Sequence, residues 1–531
     1  MASETQDVVL IGGGHNGLAC ACYLAVGGLK VRVLERRPVL GGAAVTEEFL
    51  PGFRNSTASY TVSLLQPRLI RDLRLAERGL RIVERPFSNF LPLPDGRHLK
   101  FGGDQADSRA EVAKFSAIDA QALSAYTARL ERIAAMLQQW VLDAPPNLGG
   151  PFVVQGWRDL AAAGRLLWQC GHLPRDGQRD LVELFTRSAG LWLDASFESE
   201  PLKSVLGWDA VVGSYASPYA SGSAYGLLHH AFGEVNGKRG IWGHALGGMG
   251  RISELMAAEA RSRGVRIDVA AEVAQVLVER GRAVGVRLAD GSECRARAVA
   301  ANIDPKRLYL RLVDRAELPA GFAAAIERYR CGSGVVRINV ALSELPDFSC
   351  LRGTQPQPHH ASGILMAPSL AYMDQAWLDA EAQHLAASPI VEMLLPSVVD
   401  DSLAPRGAHV ASLFCQQFRP DADWDLLKPR AVEAIFDVVD AYCPNFRRSV
   451  LGYRALSPLD LECDYGLTGG DIFHGQMSLD QLFSMRPVFG HARYRGPIAG
   501  LYHCGAGAHP GGGVSGAPGH NAAVEILRDF T

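Results

Sequence analysis

Gly12-Gly13-Gly14-His15-Asn16-Gly17 is the stretch whose residue types and spacing speak most directly of chemistry. It satisfies G-x-G-x-x-G. Gly12 permits a tight turn, Gly14 lets backbone approach a pyrophosphate, and Gly17 lets a helix pack closely on the preceding strand. A helix opening at this point presents free N–H groups and its positive dipole end to phosphate. Glu35 stands eighteen residues past Gly17, where a carboxylate can take ribose hydroxyls. Arg36, Arg37 and a Gly41-Gly42 doublet follow it.

A second glycine-rich block runs from Gly505 to Ala517 near the far end, behind the apolar run 500–504 and ahead of a helix-like stretch over 521–527. Its helix N–H groups suit another polar part of a ligand. A molecule touched by both ends of the chain is large. FAD fits that size, and the binding is expected to be non-covalent.

Other reactive side chains carry less. His509 sits inside the second block and has two readings: it lines a flavin pocket and influences proton transfer there, or it is a loop histidine held by hydrogen bonds. The pairs His229/His230 and His359/His360 invite a metal, but adjacent residues point apart and no third ligand is spaced with them. No metal site is expected. The ten Cys are scattered without C-x-x-C or C-x-x-x-x-C, which disfavours a disulfide framework, a zinc cluster and a disulfide-reductase mechanism. Cys504 reads as a buried strand-end thiol rather than a covalent flavin anchor. No Ser/His/Asp set or carboxylate pair stands out, and a flavin enzyme does not need one, because the cofactor carries the electron chemistry.

The elements that must position these residues are legible in the apolar pattern. Residues 7–11 read as a buried parallel strand, 18–25 as a helix and 29–34 as a second strand. Further along, 252–263 reads as a helix and 265–268, 273–279, 283–288 and 294–301 as strands, with Asp290-Gly291 marking a hairpin. Leu123, Tyr126, Leu130, Ile133, Leu137 and Trp140 fall on one helix face, the mark of a packing seam. Residues 67–78 read as a short helix, Pro near its start and Gly79 after it. Leu65, Leu69 and Leu73 mark one side and Arg68, Arg71, Arg74 and Arg78 another, which raises a membrane-surface contact beside the simpler solvated face.

Composition sets outer bounds. The chain has 531 residues, 48% of them hydrophobic and 21% charged, enough for a large core. A net charge of −3 gives no pull toward nucleic acid. Glycine is in excess at 56 residues, as expected where backbone must approach a ligand or take a positive φ. The uncharged stretch 8–28 imitates a membrane span, but its glycines and the absence of a basic residue ahead of it favour the nucleotide-binding turn. A cytoplasmic protein is the expectation.

The chain resembles the FAD-dependent amine oxidase and phytoene desaturase superfamily over nearly its whole length. The resemblance rests on the blocks at 12–18, 34–37, 41–48, 58–60, 227–230, 247–250, 477–482 and 504–521. It implies an α/β architecture: a Rossmann-like FAD-binding domain of the glutathione-reductase type from 1–87, 246–304 and 491–531. A mixed-sheet and helical substrate domain, from 88–245 and 305–490, is interleaved with it. Gly12, Gly14, His15, Asn16 and Gly17 would surround the pyrophosphate, and Glu35 would take the adenosine ribose. Arg36 and the backbone of Val273 would meet the adenine. Gly42 and Ala43 would line the phosphates and ribityl chain, Gly505 the ribityl–pyrophosphate region, and Gly513 with the Val514 N–H the flavin ring. Ala43 replaces an arginine of many amine oxidases, and Ala506 an acidic residue of many relatives, so two polar cofactor contacts are missing. The implied activity is hydride transfer from a lipophilic small molecule to flavin, as in desaturation or isomerisation, with amine oxidation second. Oxygen or a quinone-type molecule would be the acceptor. A regulatory flavoprotein without turnover is the alternative of another class.

Overall fold

In the computed structural model, residues 5–147, 149 and 156–531 are described, with His230 through its backbone alone. Two sheets organise the chain. In the first, β1 (Gln6–Ile11) is central, with β2 (Val31–Leu34) and Arg266–Asp268 on one side and Glu293–Ala301 on the other. Leu501–His503 adds to Glu293–Ala301 in parallel, and the antiparallel strands Arg282–Leu288 and Val273–Glu279 complete the sheet. β1 is apolar throughout its last four residues and is covered on both faces, as a parallel strand must be. The helix α1 (His15–Val26) and the terminal helix Ala517–Phe530 pack on one side, sharing a core of Leu18, Leu24, Ala522 and Ile526.

Register places the chemistry. Ile11 pairs with both Leu34 and Ala301, and Ala301 pairs with His503. Four parallel strands therefore end at one level, and the residues just beyond them share the crevice outside their carboxyl ends, where ligands of such sheets bind.

The second sheet runs Val450–Leu456, Val336–Leu342, His409–Phe418, Leu385–Leu394, Gly363–Met366, Asn89–Pro92, His98–Phe101. It is antiparallel except where Gly363–Met366 meets Asn89–Pro92. Every strand of the first sheet comes from 1–87, 246–304 or 491–531, and every strand of the second from 88–245 or 305–490. Ala117–Val141 is the long helix of the apolar seam, begun by Ser116, whose Oγ accepts the Asp119 N–H at 3.0 Å. Leu123, Tyr126, Ile133, Leu137 and Trp140 are buried along it, and Leu130 is half-buried.

One expected element differs. The helix expected over 67–78 stops at Asp72, and Arg74 takes a positive φ of 51°. Leu65, Leu69, Leu73 and Leu75 are fully buried in the core beside the first sheet, while Arg74 and Arg78 both engage the buried Glu259. Its leucines are spent on internal packing, so this segment offers no apolar face to a membrane. No helix among the described residues is long and apolar enough to cross one.

Candidate cofactor and substrate cleft

The glycine turn begins where β1 ends. Gly12 has φ +91°, and a Cβ there would lie 2.9 Å from the Asn302 carbonyl oxygen. A Cβ on Gly17 would press on the Gly12 carbonyl and come within 2.9 Å of Leu10. Only glycine allows α1 to start this close to the sheet. Gly14 occupies the N-cap without any side-chain cap. With its amide oxygen turned toward them, Asn302 accepts the N–H groups of Gly14 at 3.2 Å and Gly17 at 3.1 Å. The N–H groups of His15 and Asn16 have no such acceptor among the described residues, which leaves them for an anion.

Glu35 ends β2 and is buried. Its Oε2 accepts the Gly13 N–H at 2.7 Å and its Oε1 the Arg37 N–H at 2.8 Å. The carboxylate thus shapes the turn from behind and keeps lone pairs for a ribose hydroxyl. Arg36 donates to the carbonyls of Cys463 and Asp464, both at 2.8 Å, tying that distant segment to the adjacent wall.

From this turn a cleft of about 1530 Å³, its open mouth included, extends between the two sheets. Gly12, Gly14, His15, Asn16, Glu35, Arg36, Gly42, Ala43, Val273, Gly513 and Val514 line it. Gly17 and Gly505 stand behind the wall: Gly17 packs helix on strand, and a Cβ on Gly505 would lie 3.3 Å from Asn302 Cα. Four buried polar atoms on the lining have no protein partner: His15 Nε2, Asn16 Oδ1, Arg37 Nη1 and His474 Nδ1. Burial pushes both imidazoles down to about 4, each helped by a nearby positive or imidazole group, so they are neutral at pH 7. Unsatisfied polar atoms beside a glycine turn and free helix N–H groups fit a bound dinucleotide.

Away from the turn the lining changes character. Tyr60, Leu64, Val212, Trp242, Phe414 and Phe473 make an apolar, aromatic end. The Tyr60 and Phe414 rings lie 4.9 Å apart, and the Arg337 guanidinium lies 4.7 Å from the Tyr60 ring centre. Tyr60 donates its hydroxyl to Glu392, which is wholly buried and 3.8 Å from Arg85. Burial raises the Glu392 carboxyl, with Arg85 and the Tyr60 hydroxyl opposing. The acids that line the cleft are Glu35 and Glu272, both at the turn end beside Arg36 and Arg307.

His509 is not on this lining. It is buried under the second glycine block, its Nε2 lies 2.8 Å from the Trp140 carbonyl oxygen, and its ring lies 5.4 Å from that of Phe483. The geometry is that of a loop histidine held by hydrogen bonding and packing. His474, which the sequence did not single out, lines the cleft instead. The Cys504 thiol is buried and also off the lining, and all ten cysteines are unbridged. His359 packs on Phe90 at 4.9 Å and His360 Nε2 meets the Pro346 carbonyl at 3.0 Å. The His230 side chain lies outside the described residues, among which no metal-binding group of His, Cys, Asp or Glu occurs.

Two side chains that sequence reasoning missed hold the site together. Asn302 follows the strand Glu293–Ala301, and its position at a parallel strand end was a readable signal. Arg486 had none. It is fully buried and donates to the carbonyls of Ala506 (3.0 and 2.8 Å), Phe473 (2.8 Å), Gln481 (3.1 Å) and Gly475 (3.2 Å). One guanidinium thus ties the loop carrying His474 to the second glycine block.

Sheet, turn and cleft together are the parts of a dinucleotide-binding fold. The chain belongs to the family of flavin containing amine oxidoreductases, whose sequence model matches residues 17–342. A Rattus norvegicus protein named pyridine nucleotide-disulfide oxidoreductase domain-containing protein 2 is 42% identical over 99% of this chain and 94% of its own length. The phytoene desaturase (lycopene-forming) of Pseudescherichia vulneris is 26% identical over 98% of this chain and 99% of its own. Among solved structures, cyclohexylamine oxidase from Brevibacterium oxydans IH-35A shares the fold, with a TM-score of 0.57 at 16% identity over 99% of this chain and 100% of that one. The family is one of flavin-dependent oxidoreductases, and both hydrocarbon desaturases and amine oxidases are among this chain's relatives and structural neighbours.

Proposed function

We propose that the cleft binds FAD without a covalent bond and that the chain oxidises a lipophilic small molecule by removing hydride from a carbon beside a double bond, in a desaturation or isomerisation. The observation that carries this reading is the contrast between the two ends of the cleft. The turn end holds the free N–H groups, the orphaned polar atoms and the charged side chains of the lining itself. The other end is aromatic and aliphatic, with no carboxylate on its lining. An ammonium group entering there would lose its hydration without a countercharge, whereas a hydrocarbon gains by burial. The relative named for phytoene desaturation favours the same choice.

When bound, FAD supplies the hydride acceptor. The chain's own residues hold and orient. Gly12, Gly14, His15, Asn16 and Gly17 would form or support the pyrophosphate cradle, Glu35 would take the ribose, and Arg36 and Val273 would flank the adenine. Gly42, Ala43, Gly513 and Val514 would line the remainder, and Gly505 would support it from behind. Tyr60, Phe414 and Trp242 exclude water and give an extended apolar substrate its orientation. Loss of hydride from one carbon and of a proton from its neighbour makes the double bond, the proton leaving to water. Oxygen or a quinone-type molecule would restore the oxidised state.

The test is anaerobic mixing of the purified yellow protein with polyene hydrocarbons, terpenoids and a panel of amines, followed by loss of flavin absorbance. Reduction by hydrocarbons and restoration by oxygen or a quinone is expected. Reduction by amines alone would move the reading to amine oxidation. Reduction by none, with a partner retained in pull-down, would make this a binding flavoprotein. Acid precipitation should release all the yellow colour.

A further inference from the structure

The helix Gly156–His172 buries a single side chain, Asp159, which Arg493 holds at 2.9 Å and the Asn147 N–H at 2.9 Å. On the opposite side Trp157 is 81% exposed, Leu160 54%, Leu167 73% and Trp168 61%. At 100° per residue these four fall on one face, with Gly164 and Gly171 between them. Arg158, Arg165 and His172, spaced by seven, run along one edge of that face, Arg165 reaching Asp143 at 3.4 Å across the Trp140 ring. Asp159 is the helix's one acid and it is buried, so the helix itself brings no carboxylate to its exposed surface, in a chain whose net charge is −3.

We propose that this helix docks the protein on an anionic lipid surface, lying in the plane of the interface. Two tryptophans eleven residues apart span roughly 16 Å of helix. Both present their rings outward, where an indole sits well between headgroups and acyl chains. The leucines between them enter the acyl boundary while the basic edge meets the headgroups. Water is a poor neighbour for four large apolar side chains on one face. A second copy paired antiparallel through the same face would set basic edge against basic edge, whereas anionic lipid satisfies apolar face and basic edge together. The docking stands independently of the proposed substrate, since it concerns a surface outside the cleft.

The experiment is co-sedimentation of the flavin-loaded protein with phosphatidylcholine vesicles, with and without phosphatidylglycerol, at low and high salt. Wild type is expected to pellet with the phosphatidylglycerol vesicles, less with phosphatidylcholine alone, and less as salt rises. A W157S/W168S variant should keep the wild-type circular dichroism and flavin spectrum, because both rings are mainly in solvent, and should lose about tenfold or more in partitioning. Replacing Arg158 by Gln should weaken the preference for phosphatidylglycerol. Wild type remaining in the supernatant at low salt, or the double variant pelleting equally well, would overturn the proposal. So would light scattering that shows a wild-type dimer which the double variant dissolves, since the face would then belong to a second copy.

Discussion

Glu35 is the residue for which the structure makes the sharpest prediction. If its part were only to hold a ribose, replacing it would weaken FAD binding and leave the flavin-free protein untouched. The geometry gives it a structural part as well, because its two oxygens take the Gly13 N–H at 2.7 Å and the Arg37 N–H at 2.8 Å. Both bonds go to a buried acceptor. In Glu35→Gln one oxygen remains and the other becomes an NH2 facing an N–H, so one buried donor is orphaned at about 1–3 kcal/mol. The surviving bond also drops from charged to neutral acceptance, which takes away about another 1 kcal/mol. The sum, roughly 2–4 kcal/mol, is a large part of an ordinary domain's stability of about 5–15 kcal/mol. The assay is urea unfolding of flavin-depleted protein, followed by circular dichroism, in wild type, Glu35→Gln and Glu35→Ala. Both variants should unfold at clearly lower urea before any FAD is added, and both should retain less FAD on gel filtration. A flavin-depleted Glu35→Gln protein with the wild-type midpoint would refute the reasoning and return Glu35 to a purely ligand-facing part.

Gly17→Val should cost about 1–3 kcal/mol and leave the purified protein colourless, because its side chain meets the Gly12 backbone rather than anything that can swing away; flavin absorbance against protein content checks it. His15, His229, His503 and His509 are buried and His474 half-buried, and all five are held near 4, below the 6.5 of an exposed imidazole. Protons therefore bind the unfolded chain first: stability is full above about pH 6.5 and falls as pH drops toward 4, by about 1.4 kcal/mol per unit for each such group. Urea midpoints at about pH 7.5 and 5.5 should differ in that direction, and equal midpoints would contradict the burial assigned to these rings. His509→Ala should lower stability by on the order of 2 kcal/mol through its lost packing and its bond to Trp140. Its flavin spectrum and reduction rate should be unchanged, because the ring is off the cleft; a slowed reduction would place it in the chemistry after all.

What the amino-acid order determined by itself is local. The strand–turn–helix at the amino end, the strands around Asp290-Gly291, the long apolar helix face and the second glycine block were all legible, because periodicity and glycine geometry act over a few residues. Helix 67–78 was overread for the same reason: its arginines looked free until Glu259, far away in sequence, took two of them. Tertiary structure decided everything that depended on which strand ends share a level. Asn302 entered the site because Ala301 pairs with Ile11, and Arg486 because its loop folds beneath Ala506. His509 left the cleft because Trp140 claimed it, and His474 came to line it. Tyr60 and Phe414, distant in the chain, became one wall. Short-range pattern can say that a nucleotide turn exists, but the shape and polarity of the space in front of it arise from long-range packing, and that space is what selects a substrate.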